Sequence, residues 1–416
     1  MITVIGMGTG TPPPRLGEAV LVVGAARHLR AAVLPPAAEE LVLGPLAPAL
    51  ERIAAVGAAP VTVLASGDPG FFGIVRALAD RFGTAALDIR PAAPSVAVAF
   101  ARLGLPWDDA AVVSAHGREL RTAANVCRAR PKTAVLTGPG AGPAELGAAL
   151  AGTGRVLVVC EALGTPGERL HRLTPAEAAA RDWSGGPVNL VLCLDETRTV
   201  APAQRTIAGS GAGISQWALP EDDFAHRDSM ITKYEVRALA LARLGPRLGD
   251  LVWDVGAGSG SVAVECARLG AAAIAVEQSP DGTARIRANA AAHGVDVEVV
   301  EGKAPDVLAE LPDPDAVFIG GGGAELPRIT AAAARRARRA VVVTLAALDR
   351  VPAVRKALSG AGLAVDGVQL QSARLAPLPG EVTRLAATNP VFVLWGLRPA
   401  TSPVRNAHAR NEGDPS

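Results

Sequence analysis

The sequence predicts an α/β protein built as two halves, and three observations carry that prediction. Short Val/Ile/Leu-rich runs alternate with longer Ala/Leu stretches along almost the whole chain. The short runs are nearly continuously apolar, as strands are when both sheet faces are covered and pairing is largely parallel. A polar segment from Leu194 to Asp223, rich in Gly, Ser and Pro and without a sustained period, interrupts the alternation. At 416 residues the chain is also longer than one hydrophobic core usually serves.

In the first half the strand candidates are ITVIG, VTVLAS, LDIRP, AAVVSA, KTAVLT, RVLVVCE and VNLVLCL. In the second they are LVWDVG, AAIAVE, VEVVEG, DAVFIG, AVVVTL and PVFVLWG. Helical stretches separate them, as parallel strands require of their crossovers. Domains are expected at 1–200 and 221–400, joined by a linker over 201–220. The stretch 401–416, TSPVRNAHARNEGDPS, has almost nothing to bury and is expected to be disordered.

Hydrophobic residues make up 49% of the chain, charged residues 19%, and the net charge is +1. That is a globular composition with no overall field to draw nucleic acid or an acidic membrane. No apolar run approaches the ~20 residues that span a bilayer. The opening MITVIGMG lacks the basic start of a signal peptide. Cys127, Cys160, Cys193 and Cys266 stand in apolar runs and not at metal-ligand spacing, so they read as buried free thiols. The expectation is a cytoplasmic protein with no metal, nucleic-acid or membrane partner. The basic run RRARRA, 335–340, falls at a predicted helix end, where cations suit the terminal carbonyls on a solvated face.

The stretch LVWDVGAGSGSVAVE, 251–265, runs a strand into alternating glycines and then a helix. A dinucleotide turn wants G-x-G-x-x-G. Here the glycines are Gly256, Gly258 and Gly260, and Ser261 stands where the third would fall. Asp254 ends the strand two residues before the first glycine. A carboxylate there repels a pyrophosphate and attracts a cation. S-adenosylmethionine, which carries a sulfonium and an ammonium, fits better than NAD. Glu277 ends the next strand, where a carboxylate can accept hydrogen bonds from both ribose hydroxyls of an adenosyl group, as in NAD sites too, so it does not discriminate. Ala304 follows the third strand, at a place where a backbone amide can meet an adenine edge. The fourth strand ends in Gly320, Gly321, Gly322 and Gly323. These leave room for a bulky ligand and free amides for its carboxylates. The Asn/Asp-Pro-Pro-aromatic clamp of amino methyltransferases is absent there.

In the first half, VIGMGTGTPPPR places Pro12, Pro13 and Pro14 directly after the glycines, which argues against a phosphate-holding helix start. VLASGDPGFFG, 63–73, is more informative: a strand ends in Ser66, Gly67, Asp68 and Pro69, letting a ligand approach the backbone beside a carboxylate. His116 in SAHGRE follows a strand end, as a substrate contact or a structural histidine. No nucleophile–histidine pair and no acid or base residue stands out from the sequence.

The second half resembles the S-adenosylmethionine-dependent methyltransferases of Rossmann-like fold. Within them it is similar to the cobalamin-pathway enzymes that methylate C15 of a precorrin and decarboxylate it. DDFAHRDSMITKYEVRALAL, WDVGAGSGSVAVE, EGKAP and AVFIGGGG carry the likeness over about 221–398. It implies cofactor contacts from Thr232, from Gly256, Ala257, Gly258, Ser259 and Gly260, from Glu277 and from Ala304. The first half resembles the tetrapyrrole methylases, a two-lobed α/β fold with its active site in a cleft. ITVIGMGTG, VVGAARHL, LASGDPGFFGI, PAAPSVAVAFARLGLPWDDA, VSAHGRE and ALGTPGERL carry that likeness over 1 to about 196. It implies cofactor contacts at Gly67, Asp68, Pro94, Ser95 and Ala97, with the turn Gly6 to Gly10 lining the cleft.

Together the resemblances imply one S-adenosylmethionine site per domain and a tetrapyrrole substrate, precorrin-6B. It would be methylated at C5 by the first domain and at C15 by the second, with loss of the C12 acetate carboxyl, to give precorrin-8X. A homo-oligomer is expected. The rival classes are a two-domain dinucleotide oxidoreductase and a non-catalytic tetrapyrrole or cofactor sensor.

Overall fold

A computed structural model describes residues 1–8, 14–184, 188–200, 216–227 and 231–399. Most of the expected linker, the expected disordered tail, and Gly10, Pro12 and Pro13 of the first glycine turn lie outside these residues. The chain divides into two compact units, Met1–Ala212 and Gly213–Ser416.

The first unit holds two five-stranded sheets. In the first sheet β1 (Ile2–Met7), β2 (Leu21–Gly24), β3 (Glu39–Val42), β4 (Val61–Ser66) and β5 (Leu87–Arg90) lie in the order β3-β2-β4-β1-β5, all parallel. Apolar clusters cover both faces: Val4, Leu21, Val23, Val63 and Leu78 on one, and Ile5, Val22, Leu29 and Leu64 on the other. β1 passes over β4 to reach β2, and β4 passes over β1 to reach β5. The two connections diverge between β4 and β1, so a crevice opens beyond their carboxyl ends.

The second sheet contains β6 (Ala111–Ser114), β7 (Lys132–Leu136), β8 (Val156–Glu161), β9 (Arg169–Leu173) and β10 (Val188–Leu194), in the order β6-β7-β10-β8-β9. Only β6 and β7 pair in parallel; the other three pairs are antiparallel. Largely parallel pairing therefore fails for this sheet. Burial on both faces, by clusters around Val135 and Leu146 and around Phe100 and Leu190, makes its central strands as apolar as parallel ones.

In the second unit, seven strands are ordered β13-β12-β11-β14-β15-β19-β16. They are β11 (Leu251–Val255), β12 (Ala272–Glu277), β13 (Glu298–Glu301), β14 (Ala316–Ile319), β15 (Ala340–Leu345), β16 (Ala364–Leu370) and β19 (Val391–Leu397). The first five in that order are parallel, and β19 runs antiparallel between β15 and β16. A separate hairpin joins β17 (Ala373–Leu378) to β18 (Val382–Ala387). The chain moves outward from β11 in both directions, again placing a crevice at its carboxyl end.

Arg335 and Arg336 occupy the last turn of the helix Leu326–Arg336, as expected of RRARRA. The run is not simply a solvated face, however. Arg336 donates to the Leu308 and Leu311 carbonyls and stacks over Trp253 at 4.9 Å. Arg339 binds Asp250 at 2.6 Å. All four cysteines are buried and free. No helix among the described residues is long and apolar enough to cross a membrane, and no His/Cys/Asp/Glu group among them has the makings of a metal site.

Candidate active sites

In the second unit a cavity of about 900 Å³ opens at the carboxyl ends of β11, β12 and β14. Its wall brings together Thr232, Asp254, Gly256, Ala257, Gly258, Ser259, Glu277, Ala304 and Gly320 to Gly323. Of the second-unit residues singled out from the sequence, Gly260 alone is not in the wall; it turns the chain into the helix Ser261–Arg268 at φ +73°, packed on Ile286.

The glycine turn follows from backbone geometry. Gly256 and Gly258 have φ of +71° and +57°, a left-handed conformation that costs other residues about 1–2 kcal/mol. A Cβ on Gly256 would stand 3.1 Å from the Gly321 backbone, so the first and fourth strand ends approach as two bare chains. A Cβ on Gly258 would meet nothing within 4 Å. Glu277 braces this turn: its Oε2 accepts from the Gly258 amide at 3.0 Å, and its Oε1 from Ser279 at 2.9 Å.

Asp254 is 1% exposed. Its Oδ2 accepts from the Ala263 amide at 2.9 Å, while Oδ1 has no partner. Burial pushes its pKa up to about 7, the Ala263 hydrogen bond opposes the rise, and the Glu277 charge adds to it. Asp254 is therefore poised near neutrality, not the fixed anion its sequence position suggests. A cation against Oδ1 would favour the charged form.

Side chains that sequence reasoning missed hold this wall in place. Asn289 donates to the Ser259 carbonyl at 2.8 Å and exchanges two hydrogen bonds with the Ala225 backbone, at 2.8 and 2.9 Å. Arg237, wholly buried, donates to the Thr232 carbonyl at 2.6 Å and pairs with buried Glu265 at 3.6 Å. Arg227, Lys233, Arg285 and Lys303 also line the cavity and give it a cationic side. Arg285 and Asn289 stand in the helix Pro280–Ala292 with no local motif to mark them, while Arg227, Lys233, Arg237, Glu265 and Lys303 lie inside stretches quoted for the resemblance, where no spacing gave them a role.

In the first unit the predicted residues meet where β1 and β4 end. A Cβ on Gly6 would stand 2.1 Å from the Gly67 carbonyl oxygen and 2.6 Å from the Ala92 amide. Gly67, at φ +58°, sits so that a Cβ would lie 2.9 Å from the Pro94 Cα. The ends of both strands and the start of the helix Ser95–Leu103 are thus packed backbone to backbone. Ser95 and Ala97 lie half-buried on that helix. Half-buried Asp68 accepts from the Gly70 amide at 2.8 Å, an Asx-type turn.

Phe72, in the same loop, has φ +54° and is half exposed, with Arg118 over its ring at 5.9 Å. Exposed His116 approaches the Thr137 carbonyl at 3.4 Å and packs on Gly138. A nucleophile–histidine pair is present, contrary to the sequence reading: Ser66 Oγ lies 3.2 Å from His28 Nε2. The two residues are 38 positions apart.

Residues 222–397 match the precorrin methyltransferase domain family. Residues 15–179 match the tetrapyrrole (corrin/porphyrin) methylases. A precorrin-6Y C(5,15)-methyltransferase [decarboxylating] of Sinorhizobium sp is 42% identical over 340 residues, 78% of this chain and 79% of that protein. The protein of that name from Mycobacterium tuberculosis (strain CDC 1551 / Oshkosh) is 37% identical over 67% of each chain. A probable cobalt-precorrin-6B C(15)-methyltransferase (decarboxylating) of Pyrobaculum calidifontis is 38% identical over 42% of this chain and 93% of its own length. With relatives alike across most of its length and both family matches, the chain belongs to the precorrin-6Y C(5,15)-methyltransferase (decarboxylating) family.

Proposed function

We propose that the chain methylates precorrin-6B at C5 and C15 and removes the C12 acetate carboxyl, giving precorrin-8X. Residues 1–200 are assigned the C5 step and 221–400 the C15 step and decarboxylation. The observation that carries this reading is the second-unit cavity. Its buried Asp254 has an orphaned oxygen, and its glycine turn leaves open space in front of Gly258. A ligand that is cationic and compact at that end fits both features, as S-adenosylmethionine does and a dinucleotide pyrophosphate does not.

Bound there, S-adenosylmethionine would supply a methyl group already activated on a sulfonium. Asp254 and the turn Gly256–Gly260 would hold it, with Glu277 at the ribose, Ala304 at the adenine and Thr232 beside it. The glycines Gly320–Gly323 and the cationic side of the cavity would receive the substrate and its carboxylates. In the first unit Gly67, Asp68, Pro94, Ser95 and Ala97 would hold a second molecule.

The protein's work is alignment and water exclusion, because the nucleophile is a meso carbon of the substrate. Methylation at C15 leaves a conjugated iminium on the tetrapyrrole. That iminium accepts the electron pair released with carbon dioxide, so decarboxylation needs an electron sink more than a base. Asp68→Ala should therefore stop C5 methylation alone. Gly258→Val should stop C15 methylation and carbon dioxide release together. Mass spectrometry of the products checks both, and carbon dioxide released without S-adenosylmethionine would refute the mechanism.

The homo-oligomer is assigned to the β17–β18 hairpin. Its paired Leu375 and Leu385 are 78% and 68% exposed, an apolar patch that a second copy would cover. Light scattering should give a multimer that Leu375→Glu dissociates. A cytoplasmic location agrees with four free buried thiols.

A further inference from the structure

We propose that Ser66 is a catalytic residue of the C5 methylation, taking the C5 proton and passing its own to His28, with Arg27 positioning both. The proposal rests on the assignment of the first unit to C5 methylation.

Ser66 is the last residue of β4, paired with Met7 of β1, at the point where the chain connections diverge. It directly precedes Gly67 and Asp68 and is exposed. His28 lies on the short helix Ala26–Ala31 and is buried. Arg27 Nε donates to His28 Nε2 at 3.2 Å, and Arg27 Nη2 donates to Ser66 Oγ at 2.8 Å. An arginine only donates. His28 Nε2 must therefore be an acceptor, and the neutral ring carries its proton on Nδ1. Ser66 Oγ, already accepting from Arg27, lies 3.2 Å from Nε2, and its own hydrogen competes with Arg27 Nε for the single lone pair of that nitrogen. The remaining lone pair of Ser66 Oγ is left for a proton from outside the triad.

Burial and then the Arg27 charge lower the pKa of His28, so the ring is neutral at physiological pH and holds a proton only in passing. The Leu64 backbone opposes that shift. It misses hydrogen-bond geometry, because Nδ1 is without a partner. His28 is a buried neutral imidazole with its accepting nitrogen beside an exposed hydroxyl. That is the arrangement a general base requires.

The reaction needs such a base. As the C5–CH₃ bond forms and the S–CH₃ bond breaks, the positive charge passes from sulfur to the tetrapyrrole. C5 then carries both hydrogen and methyl. Breaking C5–H returns its electron pair to the ring system and restores conjugation. The proton goes to Ser66 Oγ as the serine proton goes to His28 Nε2 and Arg27 Nε gives up its hydrogen bond to that nitrogen; the imidazolium later loses its proton to solvent.

Three measurements on the full-length chain test this. Ser66→Ala removes an exposed hydroxyl and should fold normally. It should lower kcat for C5 methylation tenfold or more with KM and cofactor affinity unchanged; His28→Gln should lower it by about 100-fold, the range of general base catalysis. With deuterium at C5 of precorrin-6B, Ser66→Ala should show a primary isotope effect larger than that of the wild type. Independently of activity, the ¹⁵N imidazole spectrum of the cofactor-free chain should show His28 Nε2 unprotonated, and Ser66→Ala should shift it.

An Nε2-protonated ring would overturn the relay, as would full kcat in both variants. Gly67→Val separates the two levels. If it abolishes C5 methylation while Ser66→Ala and His28→Gln retain full kcat, the relay alone is wrong. If C5 methylation survives Gly67→Val, the site assignment falls and the relay with it.

Discussion

Replacing Asp254 with asparagine should make the second unit more stable above neutral pH and remove part of its pH dependence. In the fold the Asp254 carboxyl has a pKa of about 7 against an ordinary value of 3.8, because it is buried. A raised folded-state pKa means that the folded chain binds the proton more tightly than the unfolded chain. The associated stability is fully present below the unfolded value and is lost as pH rises through the folded one. Between the unfolded value and about pH 7 the unfolded carboxyl is ionised while the folded one still holds its proton, so stability falls by up to ~1.4 kcal/mol per unit. That is a loss of about 4 kcal/mol across the window, with little further change above it.

Asparagine keeps the shape and an oxygen for the Ala263 amide, and it does not titrate. The assay is a urea series at several pH values, with pulse labelling of the β11 amides read by mass spectrometry. These amides report their own unit, which matters in a two-unit chain that need not unfold in one step. Wild type should lose midpoint between about pH 5 and about pH 7, and Asp254→Asn should lose distinctly less. Parallel pH profiles would mean that Asp254 is ionised in the fold, and the account of its orphaned oxygen would be wrong.

Glu277→Ala should weaken S-adenosylmethionine binding in the second unit by about 1–3 kcal/mol, since a charged acceptor of two backbone amides is lost. Calorimetry should find binding by the first unit unchanged. Gly256→Ala should lower the melting temperature, because it combines φ +71° with a 3.1 Å approach to Gly321. Gly321→Ala, whose Cβ meets Gly256 only at 3.8 Å, should melt nearly as wild type does.

Each predicted strand is present, while β2, β3, β9, β16, β17 and β18 escaped prediction. Four of these misses have a physical cause; β2, an apolar strand buried along its whole length, does not share it. β3 and β16 are edge strands, β17 and β18 form an isolated hairpin, and most of their residues are exposed or half-buried. Such strands need no continuous apolar run. Strand direction was not legible in the second sheet, because burial on both faces leaves the same apolar signature in parallel and antiparallel strands.

By itself the sequence determined the α/β class, the two halves and the glycine turns, since each rests on local backbone demands. A left-handed φ at Gly256 or a bare chain at Gly67 is written into a few adjacent residues. Tertiary structure decided what the side chains around those turns do. Asp254 is a carboxylate in any sequence, and only its enclosure raises its pKa. Asn289 reaches Ser259 across 30 positions, and His28 reaches Ser66 across 38. Such meetings depend on which strand lies beside which, a long-range outcome of packing that no local spacing encodes.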